Sequence, residues 1–243
     1  MKKTFAVILI FVLIFSFSAC GKPKASPIED FEYEFENGET IITGYIGTDL
    51  EIVIPSEIEG RPVTEIRYNF DEGKGAFAEY DMTSIIIPEG VEYINDCSFY
   101  ECHMLENISL PDSFKGFYHG TDPYNGSSDT AIWTLRDTKW LSNQPDGPLY
   151  IDNIFLGIKG DALTSSSFEI KNGTTSIISN AFDDQENITE VVIPNSVKYI
   201  GDYAFRDCDL LKQITIPNGV VVGENALENI IVHGDYVVDI TEG

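Results

Sequence analysis

The residues best suited to chemistry in this chain are its cysteines and histidines. Cys102 is followed directly by His103, and a thiol with a neighbouring imidazole is the combination from which a nucleophile and its base are built. Adjacent residues on a turn rarely face each other, however, and Cys208 occupies the same place in a repeated phrase as Cys102 does. A catalytic group has no reason to recur at a repeat period, whereas a core residue does. We therefore interpret both cysteines as core residues.

No motif for metal or cofactor chemistry is present in the sequence. The chain has no CxxC pair and no Gly-rich phosphate loop, and its three histidines are scattered at positions 103, 119 and 233. The acidic stretch FDDQENITE (Phe182–Glu190) lacks the alternating Asp spacing and the Gly of a calcium loop. We predict no metal, no cofactor and no catalytic residue, and keep an envelope hydrolase only as the third hypothesis.

The net charge narrows the class of partner. The 243 residues include 15 basic and 40 acidic ones, for a formal charge of −25. Proteins that bind nucleic acids or anionic lipid surfaces need Lys and Arg to meet the phosphates, so both partners are disfavoured. An apolar content of 43% is sufficient for a buried core, so the chain is not expected to be disordered.

The N-terminus predicts export. Lys2 and Lys3 precede an apolar run that is shorter than the roughly 20 residues of a membrane-spanning helix, and small residues follow it. The sequence FSAC (Phe17–Cys20) resembles the lipobox of bacterial lipoproteins, although Phe17 stands where that family prefers Leu. The resemblance implies cleavage before Cys20, a lipid on this cysteine, and an extracytoplasmic protein anchored to the bacterial membrane or cell surface.

A repeated phrase predicts the architecture. The segments IIIPEGVEYINDCSFYEC (Ile85–Cys102) and VVIPNSVKYIGDYAFRDC (Val191–Cys208) share their apolar residues, proline, Phe and Cys at equivalent places. One such unit is too small to bury its own apolar side chains, but stacked units form parallel strands around a continuous core. We therefore predict a repeat solenoid, β-rich with parallel strands and short turns.

The phrase I-x-I-P-x-x-V-x-x-I-x-x-x-A-F-x-x-C-x-x-L resembles the leucine-rich repeat of the bacterial BspA-like surface antigens. The likeness covers nearly all of the chain from Phe31 onward. It implies a right-handed superhelix and adhesion to proteins of a host or of a neighbouring cell. Sixty residues separate Pro111 from Lys171, far more than one repeat, so an insertion is expected there.

The predicted organisation has six parts. They are a lipoprotein signal peptide (1–19), a tether (20–30), an N-terminal β-hairpin cap (31–48), leucine-rich repeats (49–115), an inserted aromatic-rich segment (116–163), and repeats with the C-terminal end (164–243). Within the cap, Asn37-Gly38 predicts the hairpin turn. Within the insertion we predict short helices with Asp129 and Asp137 as N-caps, followed by a hairpin that turns at Asp152-Asn153.

Alternation along the Ile-x-Ile strands predicts one binding face. If Ile85 and Ile87 point into the core, Ser84 and Ile86 point outward from a sheet that we expect to be concave. Apolar residues on such a face suit the docking of another protein, although β-propensity alone also explains them. The candidate partner-binding residues are Val53, Ser84, Ile86, Asn107, Ser109, Glu190, Val192, Gln213 and Thr215. The leading hypothesis is a non-enzymatic, lipid-anchored surface protein that binds another macromolecule through this face.

The aromatic residues of the insertion suggest an alternative hypothesis, a glycan-binding surface module. The candidate glycan-binding residues are Tyr118, Tyr124, Trp133 and Trp140. Aromatic side chains more commonly form a core, and the other interpretation is that these residues pack the insertion against the solenoid.

The lipid anchor can be tested by phase partitioning. Each CH₂ of an acyl chain that enters the membrane contributes about 0.8 kcal/mol, so a lipidated Cys20 should hold the protein in the detergent phase. We expect Cys20→Ser to move the protein to the aqueous phase or to leave an uncleaved precursor, while the control Cys97→Ser partitions like the parent. A Cys20→Ser protein that is processed and partitions like the parent would show that FSAC is not a lipobox.

Overall fold

The repeated phrase forms successive rungs of a parallel β-solenoid of about seven turns. The computed structural model describes residues 23–69, 71–118, 131–160, 166–183, 185, 187–211, 213–227 and 231–232. In chain order, the strands are β1 (Phe31–Glu36), β2 (Glu39–Tyr45), β3 (Glu51–Val53), β4 (Glu57–Ile58), β5 (Arg61–Ile66), β6 (Tyr68–Asn69), β7 (Lys74–Gly75), β8 (Ser84–Ile86), β9 (Tyr93–Asn95), β10 (Asn107–Ser109), β11 (Gly116–Tyr118), β12 (Gly147–Ile151), β13 (Ile154–Lys159), β14 (Ser167–Glu169), β15 (Ser176–Ile177), β16 (Glu190–Val192), β17 (Tyr199–Ile200), β18 (Gln213–Thr215), β19 (Val221–Val222) and β20 (Ile231–Val232). The helices are α1 (Ala131–Thr134) and α2 (Lys139–Asn143), with 3₁₀ turns at Ile28–Asp30 and Asp96–Phe99.

Each rung contributes one strand to a first sheet and one to a second sheet. The Ile-x-Ile strands form the first sheet, in two blocks with the strand orders β3-β8-β10 and β14-β16-β18-β20. The second sheet comprises β1-β2-β5-β9-β11 and β12-β13-β15-β17-β19. Apart from the hairpins β1–β2 and β12–β13, these ladders are parallel, which confirms the predicted fold class.

The apolar residues of successive rungs stack in register between the two sheets. Ile94 of β9 stands between Ile66 and Phe117, and Ile200 of β17 stands between Ile177 and Val222. All six side chains are buried. One rung therefore supplies the apolar surface that the next one covers.

The Ala-Phe pairs fill the corners of the core with stacked rings. Phe182 and Phe205 are nearly parallel, with centroids 4.7 Å apart, and Phe77 and Phe99 stack at 6.3 Å. All four rings are buried. The recurrence of Phe at this place in the sequence is therefore a consequence of ring-on-ring packing along the solenoid.

The N-terminal cap is a hairpin, as predicted. Strands β1 and β2 are antiparallel, and Asn37 and Gly38 take positive φ angles of 50° and 89° at the turn. Strand β2 pairs in parallel with β5, so the hairpin covers an edge of the second sheet that would otherwise expose unpaired backbone groups.

The insertion contains the predicted short helices and hairpin, with one correction. The hairpin β12–β13 turns at Asp152-Asn153, and the φ angle of Asp152 is 51°. The N-cap of α2 is Thr138 rather than Asp137, because the Thr138 hydroxyl accepts a hydrogen bond from Leu141 N (3.2 Å) and donates one to Leu135 O (2.7 Å). Asp129 lies outside the described residues.

The insertion divides the first sheet, whereas the second sheet is bridged. Strand β10 pairs only with β8, and β14 only with β16, in the ladders of the described strands. On the other side of the solenoid, Ser179 N donates to Lys115 O (3.2 Å) and the Ser176 hydroxyl donates to Phe114 O (3.1 Å). These hydrogen bonds connect the rungs on either side of the insertion.

Substitution of a stacked residue should test the repeat core. Ile193 is 4% exposed, so Ile193→Asp places an unpaired charge in the core and should lower the free energy of unfolding by more than about 4 kcal/mol. The neighbouring Val192 is half-buried on the outward side, and Val192→Asp should cost less than about 1 kcal/mol. Chemical denaturation measures both values. Equal stability of the parent and Ile193→Asp would contradict the stacked core.

Candidate protein-binding face

The outward side of the first sheet has two columns of residues in each block, at the positions that sequence alternation predicts. In the N-terminal block, the columns are Glu51, Ser84 and Asn107, and Val53, Ile86 and Ser109. In the C-terminal block, they are Ser167, Glu190 and Gln213, and Glu169, Val192 and Thr215. Parallel pairing fixes these columns in register, so the face is set by the backbone ladder.

Val53 and Ile86 form the apolar part of the N-terminal block. They are direct partners in the parallel ladder, and both side chains are half-buried, whereas Ile52 and Ile85 are buried beneath them. Directly opposed neighbours on one face of a sheet lie close enough for their side chains to touch. The pair is therefore one small apolar patch.

The free edge of strand β3 is covered by the chain that precedes the cap. Ser26 N donates to Val53 O (2.9 Å), and the Ser26 hydroxyl accepts from Val53 N (3.1 Å). These bonds satisfy the backbone groups through which a partner strand would extend the sheet. The Val53 backbone groups at this edge are therefore not open to an added strand.

The C-terminal block presents one apolar residue among polar ones. Half-buried Val192 stands between Glu169 and Thr215, and the neighbouring carboxylate of Glu190 accepts a hydrogen bond from the Ser167 hydroxyl (3.3 Å). Gln213 occupies the predicted position in β18. This block is thus more acidic than the block of Val53 and Ile86.

The tip of the β12–β13 hairpin lies between the blocks, a feature that the sequence pattern did not predict. The Asp152 carboxylate accepts hydrogen bonds from the Ser109 hydroxyl (2.9 Å) and from Leu110 N (3.0 Å). Asp152 therefore takes the place of the next strand at the edge of β10. The Asp-Asn turn was visible in the sequence, but its contact with Ser109, 43 positions away, was not.

Two of the three described aromatic residues of the glycan hypothesis are buried. Tyr118 is 1% exposed and donates a hydrogen bond to Glu65 (2.6 Å), and burial together with the Glu65 charge raises the pKa of Tyr118 above its ordinary value. Trp140 is 9% exposed and belongs to the core. Their ring faces are taken up by packing, as in the alternative interpretation that the insertion forms its own core. Trp133 is 54% exposed, and Tyr124 lies outside the described residues.

The cysteines occupy structural positions. The Cys102 thiol donates to Phe77 O (3.1 Å), and the Cys208 thiol donates to Phe182 O (3.0 Å), so each ties its rung to the preceding one. Burial raises the pKa of Cys102 to about 12, which suppresses the thiolate that a nucleophile requires. His103 is exposed and hydrogen-bonds Asp137 O (3.2 Å), away from the buried thiol.

Metal-binding and membrane-spanning features were also sought in the described part of the chain. Within it, no group of three or more His, Cys, Asp and Glu side chains could hold a metal ion. None of its helices has the length and apolar character needed to cross a membrane.

The stacked rungs and the outward columns define a leucine-rich repeat protein. The chain belongs to the family of BspA type leucine-rich repeat regions, whose model matches six copies over residues 72–121 and 160–233. This agrees with the resemblance seen in the sequence. No curated protein sequence matches the chain.

Several solved structures are similar to the chain. A leucine-rich repeat protein of T. pallidum shares 24% identity over 86% of each chain, with a TM-score of 0.42. A leucine-rich cell surface protein from Faecalibacterium prausnitzii shares 21% identity over 92% of this chain and 58% of its own, with a TM-score of 0.37. A leucine-rich repeat protein from Bacteroides ovatus shares 20% identity over 86% and 59%, with a TM-score of 0.36.

Proposed function

We propose that this protein is a non-enzymatic adhesion protein that binds another protein through the outward face of its first sheet. The observation that carries the proposal is the patch of Val53 and Ile86, two half-buried apolar side chains that are neighbours in one column of a face whose register is fixed. Leucine-rich repeat proteins generally mediate protein interactions, which supports a protein partner.

The rigidity of the face supports this function. The outward residues project from strands whose inward neighbours are buried or, at Ile108, half-buried, and a face held in this way loses little conformational entropy when a partner binds. Energy in protein interfaces is concentrated in a few central residues surrounded by polar ones. Val53 and Ile86 fit the role of central residues, and Glu51, Ser84, Asn107 and Ser109 fit that of the rim.

The charge of the face indicates which partners are complementary. Glu51 lies at the edge of the N-terminal block, and Glu169 and Glu190 lie in the C-terminal block, on a chain with a net charge of −25. A partner with an apolar pocket and Lys or Arg around it would gain favourable electrostatic attraction, and its association rate would fall with added salt.

The proposed function requires the protein to lie outside the cytoplasm. The signal sequence and Cys20 would attach the protein to the outer side of the bacterial membrane. A face that binds proteins of a host or of a neighbouring cell is useful only in such a location. The buried thiol of Cys102 offers no support for a hydrolase.

Introducing a charged residue on the face should weaken the binding of the partner. Once a partner has been captured with the purified full-length protein, we expect Ile86→Lys and Val192→Lys each to lower its binding free energy by about 1–3 kcal/mol while leaving the melting temperature unchanged. Isothermal titration of each variant measures the effect.

Lys198→Glu is the control for this titration. Lys198 is exposed next to β17 in the second sheet, away from the first sheet, so its substitution should have little effect on the binding of the partner. Equal losses for all three variants would indicate a general charge effect and contradict the proposed face. A loss confined to a Trp133 variant would move the site to the insertion.

A further inference from the structure

A cavity of about 360 Å³ lies where two departures from the repeat pattern meet. One departure is the β6–β7 hairpin of the first repeat, and the other is helix α1 of the insertion with the turn that follows it. Between them lies the 3₁₀ turn Asp96–Phe99, which belongs to a regular repeat. In repeat proteins, insertions on one side of the stack commonly form the binding face.

The walls of this cavity are held by defined contacts. Asn69 accepts hydrogen bonds from the backbone N–H groups of Asp71 and Glu72 (3.1 Å each), which closes the β6–β7 hairpin. Gly75 packs so closely on the Cys97 backbone that a Cβ at this position would clash with it. Asn95 caps the 3₁₀ turn by accepting from Cys97 N (3.1 Å). These contacts hold the walls of the cavity in place.

Three aromatic side chains line the cavity. They are Tyr68 from the hairpin, Tyr100 from the regular repeat and Trp133 from helix α1. Trp133 and Tyr100 are 54% and 41% exposed. The guanidinium of Arg136 lies 4.0 Å from the centroid of the Trp133 ring and 5.6 Å from that of Tyr100, so one cation interacts with both rings.

The charged groups of the lining are mixed. Lys74 and Arg136 supply hydrogen-bond donors, and Glu79, Asp96 and Asp137 supply acceptors. Three carboxylates against two cations disfavour an anionic ligand. A cationic ligand is disfavoured because the Arg136 guanidinium already stacks on the Trp133 ring and Lys74 lies in the same lining. A lining that holds both donors and acceptors matches a neutral ligand that carries several hydroxyl groups.

We propose that this cavity binds a neutral saccharide of one or two rings. Its volume lies near the lower end of the range of about 300–1,000 Å³ that is usual for small-molecule sites, and is too small for a folded partner. The C–H face of a sugar ring would pack on the exposed aromatic rings, and its hydroxyl groups would bond Arg136, Asp137 and Glu79. None of the lining residues belongs to the first sheet, so this site is distinct from the proposed protein-binding face.

Saturation-transfer difference NMR on the purified full-length protein tests this site. The probes are glucose, galactose, N-acetylglucosamine, N-acetylgalactosamine, mannose and β-linked disaccharides of these sugars, each at millimolar concentration. We expect saturation transfer to the ring protons of at least one probe. Trp133→Ala should weaken its binding by about ten-fold, a typical loss for one aromatic contact, and Arg136→Ala should also weaken it.

Phe35→Ala is the matched control. Phe35 is 39% exposed and has the Arg61 guanidinium 3.8 Å from its centroid, so it presents the same aromatic–arginine pair outside the cavity. Its substitution should leave saccharide binding unchanged, and all three variants should melt within a few degrees of the parent. The proposal is overturned if no probe receives saturation, if Phe35→Ala and Trp133→Ala lose binding equally, or if tetramethylammonium or glucuronate displaces the sugar at a lower concentration.

Discussion

Each rung of this solenoid can bury its apolar side chains only against the rungs beside it. Ile94 is covered by Ile66 and Phe117, and the thiol of Cys102 satisfies the carbonyl of Phe77 in the preceding rung. This dependence explains why the sequence repeats, because every unit must present the surface on which the next one stacks. It also places the outward residues in straight columns, since parallel pairing sets the register of both sides of a strand at once.

The insertion interrupts the stacking of one rung on the next, and other groups make the contacts there. Asp152 replaces a strand at the edge of the first sheet, and a backbone hydrogen bond from Ser179 N to Lys115 O bridges the second sheet. The Lys115 ammonium group lies near the rings of both Tyr93 and Tyr199 and pairs with Glu92 (2.7 Å), so side chains also cross the gap. The regular rungs provide a fixed face, and the irregular segments provide the cavity beside Trp133. We infer that the two kinds of surface serve different ligands, a protein and a saccharide.

The features that the sequence predicts are those with a local or periodic cause. The register of Val53, Ile86 and Ser109 follows from the repeat period, and the turns at Asn37-Gly38 and Asp152-Asn153 follow from residues that tolerate positive φ. Features that depend on distant contacts were missed. The hydroxyl of the buried Tyr118 is satisfied by Glu65, 53 positions away, and the cavity forms because residues 68–75 and 131–137 converge on one repeat. The helix cap fell on Thr138 rather than on Asp137 because a single hydroxyl both donates and accepts there.

Amide hydrogen exchange tests most directly whether the rungs on both sides of the insertion form one stack. The amide of Ser179 bonds Lys115 O across the gap, whereas those of Glu92 and Gly201 bond within uninterrupted rungs, to Thr64 O and Ile177 O. If the stack is continuous, all three amides open with free energies that agree within about 1 kcal/mol and approach that of global unfolding. Early exchange of Ser179, with residues 23–118 and 166–227 opening independently, would contradict a single stack and with it the fixed relation between the two blocks of the proposed face.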